Sequence, residues 1–338
     1  MSEPLLELTA AGLHCPRGDF FIDPWEPVER AVITHGHGDH AAPGSAHYLA
    51  PVAGRAILAK RLATETGPPA LETMGYGETR RIGEVEVSFH PAGHVLGSAQ
   101  IRLEHRGQVW VVTGDYKRAP DPTCAPFAPV RCHTLITEAT FALPVYRWPD
   151  PAAVAEDLWG WWQANAAAGR ASLLYAYSLG KAQRILAELT RFTDQTVYTH
   201  GAVEALVELY REEGVSMLPT LPVQDEPPGT EWAGRLVLAP PSVRRSRWLR
   251  RFGDHRTAFA SGWMRLRATR KRRGLDRGFV LSDHADWPAL LRTVEESEAE
   301  RVLCTHGSAA ALARFLREER GLDAAALQTR FTGEEGAA

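Results

Sequence analysis

The densest chemistry in the chain is the run His35-Gly36-His37-Gly38-Asp39-His40, which puts four side chains able to hold a divalent metal within six residues. The intervening glycines let the backbone turn tightly enough for those side chains to face one point. Imidazole suits Zn²⁺ and similar ions, and a carboxylate can bridge two of them. Each histidine must lose its proton to coordinate, so affinity should fall at acid pH. The competing reading is an exposed histidine cluster with no ligand. Further single candidates follow along the chain: His94 in PAGHVLGSA, Asp115 in TGDY, Glu138 in ITEATF, His284 in LSDHADW and His306 in CTHGS. The other histidines (His14, His47, His90, His105, His133, His200 and His255) have no ligand spacing and read as ordinary surface or packing residues.

Each candidate sits where an apolar β-type run gives way to a loop. Ala31-Val32-Ile33 precedes the first cluster, and GEVEVSFHPAGH (83–94) alternates as a strand before His94. QVWVVTGDY (108–116), HTLITEAT (133–140), GFVLSDHADW (278–287) and ERVLCTHGS (300–308) repeat the pattern. Residues 5–33 read as short strands with turns, and AQIRL (99–103) as another strand. The result is a β-rich layered architecture with its polar site along one sheet edge. No GxGxxG follows a strand, so a dinucleotide-binding arrangement is not expected.

Between Glu138 and His284 the texture changes. LPVYRWPDP, near residue 144, reads as a boundary. A helix is expected over 151–168, with Trp159, Trp161 and Trp162, then a strand, turn and helix over 171–192. After these come a proline-rich loop (218–234), a strand (235–242), a short basic helix (246–252) and a strand ending in a small-residue turn (256–264). The last helix is expected over about 309–321, and the tail after 333 should fray.

Length and composition are those of a folded protein. The chain has 338 residues, 44% hydrophobic and 23% charged, enough for two domains or one large domain with an insertion. No apolar run reaches the roughly 18 residues of a membrane span. MSEPLLELTA has no basic region followed by an apolar one, so no secretory leader and a cytoplasmic location are expected. Cys15, Cys124, Cys132 and Cys304 form no CxxC pair and read as reduced, mostly buried thiols. The net charge of −3 hides a local bias: Arg244 to Arg277 holds 13 Lys/Arg against Asp254 and Asp276. RATRKRRG (267–274) reads as a phosphate-facing patch or a flexible basic loop.

HGHGDH resembles the HxHxDH signature of the metallo-β-lactamase superfamily, and His94 and Asp115 fall in that family's order. Glu138, His284 and His306 resemble the further acidic, DHAD-like and histidine motifs of its β-CASP nuclease branch. GDFFIDPW, GDYKRAPDPTCAPFAPVRC, LPVYRWP, SLGKAQRIL and SGWM are similar to phrases of bacterial DNA-ligase-associated exonucleases within that branch. The resemblance implies an α/β fold: an αββα metallo-β-lactamase sandwich (1–145 and 276–338) with a smaller α/β β-CASP domain inserted at 146–275. It implies two divalent ions, Zn²⁺ favoured and Mn²⁺ the alternative. One would be held by His35, His37 and His94, the other by Asp39, His40 and His306, with Asp115 bridging.

Asp39, Glu138 and His284 are the implied catalytic residues, with Glu138 orienting His284 at the scissile phosphate. A buried Glu–His pair with only a structural role is the alternative. Phosphate or base contacts are expected from Lys117, Lys181, Ser261, Gly262, Trp263, Arg270, Lys271, Arg272 and Arg273, with Arg118 beside them. Lys181 reads equally as an exposed lysine on an ordinary turn, and Trp263 as a core residue. The implied activity is a DNA exonuclease of repair, 5′→3′ in polarity, giving 5′-phosphates through a metal-bound hydroxide. Its implied partners are DNA as single strands or ends, with functional links to a DNA ligase and a helicase, and no membrane. His306 is more typical of RNA-cleaving members, so an RNA-processing nuclease stands as the alternative. A small-molecule metallohydrolase would leave Glu138, His284 and the basic segment unexplained. A non-catalytic nucleic-acid-binding scaffold would leave the full set of ligand positions unexplained.

Overall fold

The computed structural model describes residues 4–266, 268 and 274–330. Arg270, Lys271, Arg272 and Arg273 lie outside the described residues. Contacts divide the chain into two compact units, Met1–Arg147 with His284–Ala338, and Trp148–Asp283.

The first unit is built on two sheets. Strands β1 (Glu7–Thr9), β2 (Gly12–Cys15), β3 (Phe20–Ile22), β4 (Arg30–Val32), β5 (His47–Pro51) and β6 (Leu71–Met74) form one sheet in chain order. The other sheet runs β19 (Asp323–Ala326), β18 (Arg301–Thr305), β11 (Thr134–Glu138), β10 (Gln108–Val112), β9 (Ala99–His105), β8 (Val85–Pro91), β7 (Thr79–Ile82). Side chains alternate across a strand, so each sheet has two faces to cover. The facing sides meet in a core of Phe20, Ile22, Val32 and Leu49 against Val87, Phe89, Ile101, Trp110 and Ile136. On its other face the first sheet packs Ile33, Tyr48 and Ala50 on Leu58 and Leu62 of helix α1 (Arg55–Leu62). The second sheet packs Val111, Leu135, Val302 and Cys304 on two helices yet to be numbered, Trp287–Ser297 and Ala309–Arg320. The layers are therefore helix, sheet, sheet, helix, each sheet apolar on both faces.

The second unit is one six-stranded sheet, all parallel, in the order β14 (Thr220–Pro222), β13 (Val197–Thr199), β15 (Leu236–Ala239), β12 (Ala171–Tyr175), β16 (His255–Ala260), β17 (Arg277–Phe279). One face is covered by α2 (Pro151–Ala167), α3 (Lys181–Leu189) and α4 (Gly201–Glu212). Helix α2 begins on an Asp150 carboxylate that accepts from Ala152 N at 3.2 Å, with proline in the first turn, where no amide is missed. Trp161 and Trp162 are buried, and Trp162 Nε1 donates to Gly234 O at 2.9 Å.

The fold is mixed α/β, as expected. Three helices were not anticipated above: α1, α4 and α5 (Trp287–Ser297). The last helix, α6 (Ala309–Arg320), was. The proline-rich 218–234 segment also carries the edge strand β14, where Pro222 costs no ladder bond. Among the described residues no helix is long and apolar enough to cross a membrane.

Candidate metal centre

The expected ligands lie at the carboxyl ends of strands. Histidines 35, 37 and 40 follow β4, His94 follows β8, Asp115 follows β10, and His306 follows β18. β8 and β10 both run antiparallel to β9, and β10, β11 and β18 are mutually parallel, so the ends of β8, β10 and β18 share one edge of the second sheet, while β4 brings its histidines from the first. Two glycines set the turns. A Cβ at Gly93 (φ +73°) would meet Lys117 O at 2.4 Å, and one at Gly114 (φ +55°) would meet the Thr34 side chain at 2.7 Å. Only glycine fits both the positive φ and the close approach. His306 is itself left-handed (φ 61°), a strained position for a β-carbon-bearing residue.

His35, His37, His94 and Asp115 bring one ligand atom each to within 4.8 Å of one another. His37 Nδ1 is 3.1 Å from His35 Nε2 and 3.0 Å from His94 Nε2. Asp115 Oδ2 lies 3.5 Å from His35 Nε2 and 3.7 Å from His94 Nε2. Ligands about 2.0–2.1 Å from a tetrahedral Zn²⁺ stand roughly 3.3 Å apart, so this spacing is that of a coordination shell. Three ring nitrogens facing one point cannot all be satisfied by sharing protons, whereas a cation satisfies all three. The donor set fits a borderline-soft divalent ion.

Asp39, His40 and His306 form a second group of the same kind. Asp115 Oδ2 is also 3.5 Å from His40 Nε2, so one carboxylate oxygen faces both groups. His40 Nε2 is buried and makes no hydrogen bond, while Nδ1 meets Asp23 Oδ2 at 2.7 Å. Asp23 also accepts from Thr34 N at 2.8 Å and from Thr34 Oγ1 at 2.6 Å. That carboxylate fixes the imidazole orientation. Asp23 was not singled out in the sequence, where an Asp-Pro after a short strand reads as turn chemistry. The residues present thus fit two ions sharing Asp115.

The electrostatics divide the histidines. Burial holds the His35 imidazole well below its ordinary value, and neighbouring His40 and His94 add to this, so it stays neutral. Burial likewise lowers His306, with His40 adding to the effect. For His40 burial opposes charge, but the Asp115, Asp39 and Asp23 carboxylates outweigh it and raise the imidazole well above its ordinary value. Burial works against the Asp115 charge, and His40 and His284 overcome it and hold that carboxyl well below the usual range.

Glu138, the last residue of β11, is 1% exposed and sits 3.0 Å (Oε2) and 3.2 Å (Oε1) from His284 Nδ1. Its Oε1 also accepts from Tyr116 N at 2.8 Å, which ties the pair to the Asp115 loop. His284 Nδ1 lies 4.0 Å from Asp115 Oδ2, so the pair borders the ligand groups. Cys304 is buried and its thiol is pushed up to about 12 by burial, so it packs as an apolar residue.

Two expected phosphate contacts are corrected. Lys117 is 1% exposed and ion-paired with Asp121, whose other oxygen accepts from Thr123 N and Oγ1. Lys181 is 3% exposed with its Nζ 2.5 Å from Asp283 Oδ2. Reaching a phosphate would require breaking a buried ion pair, which is strongly unfavourable. Arg118 is likewise engaged, at 2.6 Å from Glu296 and over the Phe127 ring. Ser261 and Gly262 are buried, and Ser261 Oγ caps the following turn by accepting from Trp263 N at 3.3 Å. Trp263 is half-buried against the Tyr175, Phe259 and Met264 cluster.

No family model matches the chain. Over 324 residues it is 34% identical to a protein of Opitutus terrae named a probable DNA ligase, across 94% of this chain and 30% of that protein. It is 32% identical over 148 residues to the endoribonuclease ysh1 of Emericella nidulans, across 42% of this chain and 16% of that protein. It is also 28% identical over 149 residues to an RNase J-like protein of Methanocaldococcus jannaschii, across 41% of this chain and 35% of that protein. The chain belongs to the β-CASP metallo-β-lactamase nucleases. That family is metal-dependent, in keeping with the β-CASP chain's His/Asp cluster. The chain spans less than two thirds of each of these relatives. A crystal structure of a protein of unknown function from Enterococcus faecalis shares its fold, with a TM-score of 0.55 at 13% identity over 91% of this chain and 80% of that one.

Proposed function

We propose that the protein is a metal-dependent phosphodiesterase acting on nucleic acid, with DNA as substrate and exonuclease action 5′→3′ leaving 5′-phosphates. In this reading Met1–Arg147 with His284–Ala338 is the αββα sandwich and Trp148–Asp283 the β-CASP insertion. The observation that carries it is the Glu138–His284 pair at 3.0 Å beside the two ligand groups. Hydrolysis of a small molecule needs the ligand groups alone, whereas cleaving a phosphodiester benefits from a second, oriented acid. The relatives named endoribonuclease, RNase J-like and probable DNA ligase support a nucleic-acid substrate.

His35, His37, His94 and Asp115 would hold one divalent ion, and Asp39, His40, His306 and Asp115 the other. When bound, such ions supply Lewis-acid stabilisation of the charge developing on the phosphoryl oxygens. Glu138 accepts from His284 Nδ1 and so sets the imidazole tautomer, leaving Nε2 as the nitrogen that exchanges a proton. His284 would deliver that proton to the departing 3′ oxygen. The nitrogen-rich donor set favours Zn²⁺ over Mn²⁺. The relative named a probable DNA ligase motivates a functional link to strand joining, and the sequence resemblance adds a functional link to a helicase.

The test uses 5′-labelled and 3′-labelled single-stranded DNA with Zn²⁺ or Mn²⁺, matched RNA alongside, and Asp39→Ala as control. Metal-dependent loss of DNA that the variant lacks is expected, with the order of label release giving polarity. Intact DNA and RNA under both metals would overturn the reading. The second reading, an RNA-processing nuclease, is favoured by His306 within the second ligand group and by the relatives named endoribonucleases. Cleavage of RNA alone would put it first.

A further inference from the structure

The face of the second unit's sheet away from α2, α3 and α4 carries a feature that the metal chemistry does not use. Ala239, Tyr175, Phe259 and Gly278 stand in register on β15, β12, β16 and β17. Residues in one register row project to the same face. Two aromatic rings are thus flanked by a methyl group on one side and no side chain on the other. Room is left above the row: a cavity of about 120 Å³ lined by Tyr175, Pro241, Arg244, Phe259 and Leu275. The cover here is short turns, Pro241–Arg245 and Arg247–Phe252, in place of a long helix.

The cavity's place in the topology also points to a ligand. Tyr175 ends β12, Phe259 is next to last in β16, and Pro241 follows the end of β15. From β12 the chain crosses to β13 on one side, and from β16 it goes on to β17 on the other. Open parallel sheets bind ligands at the carboxyl ends of strands where the winding reverses in this way. The Tyr175 side chain is 1% exposed, and its hydroxyl is buried with no hydrogen-bond partner. Burial pushes that phenol up to about 12, against the opposing charge of Arg244, so it stays a donor. A buried, unsatisfied hydroxyl costs stability and marks a place where a partner is due.

We propose that this cavity is a subsite for one unstacked nucleobase, lying against Phe259 and Pro241 and held at its carbonyl or ring-nitrogen acceptors by the Tyr175 hydroxyl and the Arg244 guanidinium. It rests on the nucleic-acid reading above and gives that substrate a base contact that the metal centre lacks. Aromatic stacking tolerates any base, while the two donors prefer bases rich in acceptors. Flanking basic residues, Arg245 and Arg247 among them, suit an anionic strand.

The experiment uses the full chain in EDTA, with fluorescence anisotropy on labelled 12-mer DNA in which one abasic site is walked along the strand. Tyr175→Phe and Arg244→Gln are compared with wild type, and melting curves confirm folding. Tyr175→Phe removes only an unsatisfied hydroxyl and should melt no lower than wild type. The subsite predicts that wild type loses about tenfold in affinity when one particular base is missing, and that both variants lose most of that sensitivity. A flat abasic walk, or variants that respond to it as wild type does, overturns the subsite while leaving the nuclease reading intact. Titration with thymidine, dTMP and inorganic phosphate separates the two readings. Tyr175-dependent binding of thymidine in a protein that cuts no nucleic acid would uphold the subsite and discard the nuclease. Inorganic phosphate competing as well as dTMP would reduce the site to an anion pocket and overturn the nucleobase assignment.

Discussion

Asp23 Oδ2 and His40 Nδ1 are 2.7 Å apart, and through that contact a residue with no place in either ligand group decides which nitrogen of His40 faces Asp115. The same carboxylate holds the Thr34 amide and hydroxyl, so it braces the start of the ligand loop as well.

Replacing Asp23 with Ala should therefore weaken the second group more than the first. Loss of such a supporting partner lowers metal affinity about 10–100-fold. Metal content after dialysis against graded chelator should fall from two ions per chain to one. An unchanged count of two would show that Thr34 alone suffices.

His40 also sets a proton balance. Its imidazole is raised well above its ordinary value by Asp115, Asp39 and Asp23 against the effect of burial, so the metal-free protein carries it protonated near neutral pH. Coordination requires the neutral ring. Binding should release this proton at pH 7, and the release should fade as pH climbs through the raised value. His35, kept neutral by burial, contributes none. Calorimetry in buffers of different ionisation enthalpy measures the release, and His40→Ala should abolish it. A buffer-independent enthalpy in the wild type would contradict the assignment.

Glu138→Gln and His284→Ala should leave metal content near wild type and lower kcat by about 10²–10⁴ on single-stranded DNA. Glu138→Gln should also move the alkaline limb of the kcat profile to lower pH, because a general acid acts only while protonated and the amide no longer favours the protonated ring. If both variants instead lose metal, the pair supports the centre and does no proton chemistry.

The buried Lys117–Asp121 pair gives a stability test. Lys117→Met strands a carboxylate that is itself buried and should cost about 3–5 kcal/mol in urea denaturation. The double variant Lys117→Met with Asp121→Leu should recover most of it. A phosphate-binding lysine would behave oppositely, with affinity for DNA lost and stability kept.

The ligand residues were legible because metal chemistry restricts residue type and spacing, and because strand-to-loop transitions show as β runs ending in glycine. His94 and Asp115 could be found one at a time in this way, each behind its own glycine. Exposure is not written in the same manner. Lys117 and Lys181 look like surface cations in the sequence, and the aspartates that neutralise them, Asp121 and Asp283, carry no distinguishing mark there. Asp23 was missed for a related reason, since its role depends on a histidine 17 positions away being folded back onto it. The row from Ala239 to Gly278 depends on strand order and register, which only the sheet reveals. Helix α4 did have a readable amphipathic pattern in GAVEALVELYRE, and His200 at its start accepts from Ala202 N at 3.1 Å as a cap.

Strand β18 pairs with β11, Glu138 opposite Thr305, although the whole second unit lies between them in the chain. Made from its amino terminus, the polypeptide would have His35, His37, His94 and Asp115 in hand long before His306 is polymerised. Long-range pairings of this kind close late, after the intervening segment has folded. The nascent chain would thus be able to capture one ion early, and its second ion only after the whole second unit and β18 have been made. Biogenesis itself would then withhold the complete two-ion centre from partly made protein.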